Sequence, residues 1–282
     1  MTDRAFAIVT DSTADIPVEL AAESGITVVP LSVTFGEETL ADGTLSQEQF
    51  FERMGREPKL PTTSQPAPGA FVEAYERALE RYSSVLSIHI SDKLSGTVES
   101  ARQAAARFPG QVHVFDTRNL SWGLGLQVME AVRCAERGLD VEGALAALED
   151  VRARVRLIVG LDSLDNLAKG GRIGKVSAFL GSMLNLKVTL TVDNEGAFQP
   201  VARTRGERAA LDHTMAWVAQ QMGTATRGRF AVGAAMHPER AEKLAEAIRG
   251  VYDVEDLVVY RAGSVICAHT GTGWGLALLP TE

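Results

Sequence analysis

Hydroxyl side chains recur in this 282-residue sequence where β-branched runs give way to helical ones. Thr10-Asp11-Ser12-Thr13-Ala14-Asp15 follows an apolar run, and Pro61-Thr62-Thr63-Ser64-Gln65-Pro66-Ala67-Pro68-Gly69 sets hydroxyls between stiffening prolines. Ser91-Asp92-Lys93-Leu94-Ser95-Gly96-Thr97 opens a helical stretch, and His269-Thr270-Gly271-Thr272-Gly273-Trp274-Gly275 places one histidine beside alternating glycines. Neutral donors held at a helix start suit an anionic oxygen, because free backbone amides and the helix dipole favour negative charge there. Gly96 would let backbone approach a ligand, with Ser95 and Thr97 as donors. Each segment taken alone also reads as a helix cap or a turn, and His269 as a structural histidine.

A fifth segment, Ala168-Lys169-Gly170-Gly171-Arg172-Ile173-Gly174-Lys175, is basic, glycine-rich and expected to be exposed, as a solvated turn or as a docking or anion site. It lacks the GxxxxGK[ST] spacing of a phosphate-binding loop, so ATP binding by this chain has no support in the sequence. Cys134 and Cys267 lie far apart in apolar segments without metal-ligand spacing and read as buried free thiols. Ser95 as nucleophile, His269 as base and Asp11 as its orienter would make a serine-type acyl hydrolase, although no G-x-S-x-G elbow surrounds Ser95.

The elements that must position these groups follow an α/β pattern. Strands are expected over 5–9, 26–35, 85–90 and 112–115, forming a parallel sheet covered by helices. Ser46 and Gln49 form a capping box, and Pro17 sits near the first turn of a helix. Residues 121–155 have helical period, broken at Gly138-Leu139-Asp140. A strand over 156–161 then opens a second half of mixed α/β character. Asp193-Asn194-Glu195-Gly196 turns a hairpin between strands 187–192 and 198–203, followed by helices over 207–222 and 238–249 and strands over 230–236 and 254–260. The length fits two domains, 1–155 and 156–282.

Hydrophobic residues at 45% and charged residues at 23% match soluble globular chains and exclude disordered and coiled-coil classes. A formal net charge of -8 argues against a nucleic-acid partner, whose phosphates require clustered Lys and Arg. No signal-peptide pattern and no membrane-spanning apolar run is present, so a cytoplasmic protein is expected.

Taken in order, Asp11-Ser12-Thr13-Ala14-Asp15, Thr63-Ser64-Gln65-Pro66, Leu94-Ser95-Gly96-Thr97, Gly170-Gly171-Arg172-Ile173 and His269-Thr270-Gly271 with Gly273 resemble the DegV family over essentially the whole chain. Members of this family are also called the fatty-acid-binding subunit of bacterial fatty acid kinase. The resemblance implies two α/β domains with a long-chain fatty acid buried between them, and no catalysis, metal or cofactor of the chain's own. By the same resemblance Thr63 and Ser95 donate to the carboxylate, His269 lies beside it, and Ser64, Gly96 and Thr97 complete the head-group loop. Arg172 looks like the surface arginine that engages the catalytic subunit of the kinase, and transient contact with a membrane surface is a further expectation. The sequence departs from the common pattern at Ala67, Asn166, Val188 and Thr272. Two alternatives stand beside presentation to a kinase: the hydrolase above, and a lipid-responsive sensor or scaffold without phosphorylation.

Overall fold

β-Branched runs separated by helices cannot pair as tight hairpins, and in the first half they assemble as a parallel sheet. The computed structural model describes residues 4–179 and 186–281. The chain runs β1 (Ala7–Asp11), α1 (Val18–Glu23), β2 (Ile26–Val29), β3 (Ser32–Phe35), β4 (Glu38–Ala41), α2 (Gln47–Arg56), β5 (Thr62–Ser64), α3 (Pro68–Leu79), β6 (Val85–His89), α4 (Thr97–Ala105), β7 (Val112–Asp116), α5 (Ser121–Glu136) and α6 (Val141–Arg154). It continues through β8 (Arg156–Leu161), α7 (Asp165–Lys169), β9 (Leu186–Val192), β10 (Phe198–Arg205), α8 (Glu207–Met222), β11 (Arg227–Ala234), α9 (Pro238–Arg249), β12 (Asp253–Arg261), α10 (Ser264–Thr270) and β13 (Gly273–Pro280).

The parallel sheet has the order β2-β1-β6-β7, and the second half forms a mixed sheet of order β10-β9-β8-β13-β11-β12. These are the expected α/β layers. The single strand expected over 26–35 is instead two strands. Pro30, which has no amide hydrogen to donate, ends β2, and β3 joins a small antiparallel sheet of order β4-β3-β5. That sheet turns the Thr63 segment from a loop into a strand, with Val33 opposite Thr63.

The His269 segment is also not one loop, because His269 and Thr270 close α10 while Gly273 opens β13. β13 lies inside the mixed sheet between β8 and β11, and neither it nor α10 was assigned from the sequence. The capping box holds, with the Gln49 amide donating to Ser46 Oγ at 3.2 Å and the Ser46 amide to Gln49 Oε1 at 2.9 Å.

Strand alternation divides the mixed sheet between two cores. Ile158, Val232, Leu276 and Leu278 pack with Trp217, Val218, Leu244 and Ile248 of α8 and α9. Leu157, Val159, Ala231 and Ala277 pack on the other face with Leu124, Val128, Val132 and Leu148 of α5 and α6. The same cluster takes in Ile8, Leu86 and Ile88 of the parallel sheet and Phe6 just before β1, so one apolar core runs through both halves of the chain. Helix α5 is buried on nearly every side, as a helix between two sheets must be.

Candidate functional site

β1 pairs with β2 on one side and β6 on the other, so the loops leaving the carboxyl ends of β1 and β6 diverge and open a crevice. The Asp11 carboxylate braces both loops. It accepts from the Thr13 amide at 3.0 Å, the Thr13 hydroxyl, the Ile90 amide at 3.1 Å and His89 Nδ1 at 3.0 Å. His89 Nε2 is 2.6 Å from Ser87 Oγ, which lies 2.8 Å from the Tyr75 hydroxyl. Asp11, His89 and Ser87 are fully buried, and this Asp-His-Ser row is a brace sealed within the sheet.

Above this brace lies a cavity of about 440 Å³, its mouth included. Its polar end is formed by Thr63, Ser95, Arg172 and His269, with Thr13 and Thr270 beside them. Leu31, Ile90, Leu94, Leu120, Phe198, Val265 and Ile266 supply apolar wall. His269 Nε2 is 2.8 Å from Thr63 Oγ1. His269 Nδ1 is buried without a hydrogen-bond partner among the described residues, and a Cβ on Gly170 would come within 2.4 Å of it. Burial, and then the Arg172 charge, push the His269 pKa down to about 4, so the ring is neutral at pH 7.

Ser95 Oγ accepts from the Thr97 amide at 3.3 Å and lies 2.8 Å from the Thr97 hydroxyl. With Thr97 donating, the Ser95 proton is free to point into the cavity. Thr97 is fully buried and supports Ser95 without lining the cavity. Gly96 also lies outside the lining; the Gln65 side chain covers it so closely that a Cβ would sit 2.2 Å from Gln65 Oε1. Ser64 follows Thr63 on β5, is exposed and points away from the cavity, because successive strand residues face opposite sides.

Arg172, expected on the surface apart from the hydroxyl segments, is half-buried along the same cavity. Its Nε donates to the Leu94 carbonyl at 3.2 Å and its Nη1 to the Gly170 carbonyl at 2.9 Å, which ties the basic segment to the β6–α4 loop. The Asp193–Gly196 turn is pinned to that loop too, with Ser91 Oγ donating to the Gly196 carbonyl at 2.8 Å. The hydrolase triad does not assemble: Asp11 is engaged by His89, and His269 by Thr63.

Beyond Leu120, Ile266 and Thr270, which line both spaces, lies a second chamber, about 410 Å³ with its open side included. Val159, Leu161, Ala234, Ala235, Ala262 and Trp274 make it largely apolar, with Ser121 and Tyr260 also on its wall. These residues come from α5, β8, β11, β12 and β13, and nothing in their local pattern separates a cavity wall from ordinary core. Gly273 and Gly275, which read as loop glycines in the sequence, lie inside β13 where neighbouring groups approach closely.

A model of the family described as "Uncharacterised protein, DegV family" matches residues 5–281. The chain belongs to the DegV family. It is 40% identical over 280 residues to a DegV domain-containing protein of Deinococcus radiodurans, covering 97% of this chain and 98% of that one. A DegV family protein from Thermus thermophilus described as fatty acid binding superposes with a TM-score of 0.93 at 37% identity, over 99% of this chain and 100% of its own. DegV of Bacillus subtilis, described as a fatty acid binding protein, superposes with a TM-score of 0.87 at 31% identity, over 99% and 100%.

Thr272 and Asn166 both find local partners. Thr272 Oγ1 donates to Asp162 at 2.7 Å, and Asn166 Nδ2 donates to the Ala268 carbonyl at 3.3 Å, so each steadies the turn around α10. Among the described residues no group of three or more His, Cys, Asp or Glu side chains could hold a metal ion, and no helix is long and apolar enough to cross a membrane.

Proposed function

We propose that the protein binds a long-chain fatty acid and presents its carboxylate to a partner kinase, without itself catalysing a reaction. One observation carries this reading: a cavity lined by the Thr63 and Ser95 hydroxyls, neutral His269 and the side of Arg172 adjoins a largely apolar chamber. The descriptions of the Thermus thermophilus and Bacillus subtilis relatives as fatty-acid binding support it.

In this reading Thr63 and Ser95 donate to the carboxylate. Neutral His269 donates through Nε2 to Thr63 Oγ1, which turns the Thr63 proton toward the ligand and leaves Nδ1 as the unprotonated nitrogen. Neutral donors leave a carboxylate oxygen more available than a bidentate arginine clamp would. That oxygen attacks the terminal phosphoryl group of ATP held by the kinase; the new O–P bond forms as the bond to ADP breaks. Burial of the tail contributes about 0.8 kcal/mol per methylene, which favours long chains.

The family resemblance makes Arg172 the contact for the kinase, and its place in the cavity wall adds a second role beside the head group. Arg172→Ala is therefore expected to lower lipid retention as well as coupling to the kinase.

Mixing the lipid-loaded protein with ATP and a fatty acid kinase catalytic subunit tests the proposal. Acyl phosphate formed only when all three are present supports presentation. Lipid that stays bound and is never phosphorylated would favour a sensor or scaffold and overturn the kinase role.

A further inference from the structure

Building on the fatty-acid reading, we propose that Tyr260 sets the length of acyl chain the protein accepts. Tyr260 lines the apolar chamber and is not part of the head-group cavity, so it stands beyond the shared wall of Leu120, Ile266 and Thr270 as seen from the carboxylate. The register of the mixed sheet explains what its ring does there. Tyr260 on β12 is opposite Gly233 on β11, Gly233 is opposite Gly275 on β13, and Gly275 is opposite Val159 on β8. Residues in one such row present their side chains on the same face. Two adjacent glycines therefore leave a trough in the sheet where side chains would stand.

The Tyr260 side chain lies in that trough. A Cβ on Gly233 would come within 2.4 Å of Tyr260 Cζ, and one on Gly275 within 2.8 Å of the Tyr260 hydroxyl. The ring is held from behind by Trp122, with centroids 5.8 Å apart, and its hydroxyl lies 3.0 Å from Ser121 Oγ, which donates to Asp15. Tyr260 is 5% exposed, so the ring is a fixed filler and not a mobile flap. The depth of the chamber is thus limited by one aromatic ring laid over two glycines. Removing that ring opens the trough without touching Thr63, Ser95 or His269.

Wild-type protein, Tyr260→Ala and Tyr260→Phe are each stripped of lipid and offered an equimolar series of saturated fatty acids from lauric to behenic acid. The bound species are then counted by mass spectrometry. Tyr260→Ala is expected to raise the ratio of arachidic to palmitic acid bound by about tenfold or more, as removal of wall from an apolar pocket does for added methylenes. Tyr260→Phe keeps the ring and is expected to keep the wild-type ratio. If Tyr260→Ala does not fold, Tyr260→Leu carries the same comparison with a smaller expected rise. An unaltered ratio in a variant that still binds lipid overturns the assignment to Tyr260. Failure of the wild-type protein to take up any member of the series would instead overturn the fatty-acid reading on which it rests.

Discussion

In the proposed site Thr63 is the residue on which head-group recognition would turn, because its hydroxyl both contacts His269 and faces the cavity. Thr63→Val keeps the shape and removes the donor, leaving a buried carboxylate short of a partner at a cost of about 1 to 3 kcal/mol. The expected result is a roughly tenfold to hundredfold rise in Kd for a long-chain fatty acid, measured by displacement of a fluorescent analogue, with Thr63→Ser close to wild type. His269 makes a separate prediction. Its folded pKa of about 4 lies below the ordinary value of 6.5, so between these values the unfolded chain holds more protons and stability falls as pH drops through the window. Imidazole resonances of the lipid-free protein should titrate near 4, and a bound carboxylate should move that value upward. A His269 that titrates at its ordinary value in the lipid-free protein would contradict the buried, neutral assignment.

At the scale of elements, α10 joins the polar cavity to the apolar chamber, since His269 faces the first while Ile266 and Thr270 border both. Its start is held by carboxylates: the Gly263 amide donates to Asp15 at 2.8 Å and the Val265 amide to Asp42 at 3.3 Å. Burial pushes the Asp15 pKa from 3.8 up to about 8, so the folded chain keeps a proton that the unfolded chain has lost, and stability falls as pH rises across that interval. From about 6.5 to 8, above the His269 window, Asp15→Asn should flatten the decline in Tm with pH. Equal slopes in the two proteins would contradict a buried, protonated Asp15. Gly170→Ala is expected to displace His269 and weaken lipid retention, because a Cβ there would come within 2.4 Å of the His269 ring and 3.0 Å of the Asn166 carbonyl.

The strands of the parallel sheet were legible because β-branching and alternation reflect local geometry. α10 and β13 were not, because an apolar run such as Ser264–Ala268 satisfies helix and strand patterns alike and the glycines of β13 resemble a loop. Pro30 carried the break between β2 and β3, but the short strands β4 and β5 gave no reason to expect a separate sheet to receive the chain.

Across the whole molecule, the site draws its donors from segments 206 residues apart, Thr63 and His269, and its apolar wall from both halves of the chain. The hydroxyls were visible in the sequence because polar residues cluster where strands end. The chamber was not, because its wall is drawn from strands and helices far apart in sequence, and the register that lays the Tyr260 ring over Gly233 and Gly275 is not written in any local pattern. The half-burial of Arg172 was not visible for a related reason: its composition reads as solvated, and its contact is with the Leu94 carbonyl 78 residues away. Whether this cavity holds a fatty acid is tested by native mass spectrometry of the purified protein followed by solvent extraction. The expected result is one fatty acid per chain, lost on extraction and retained poorly by Thr63→Val. Protein that is empty as purified, and still empty after incubation with a mixture of long-chain fatty acids, would contradict it.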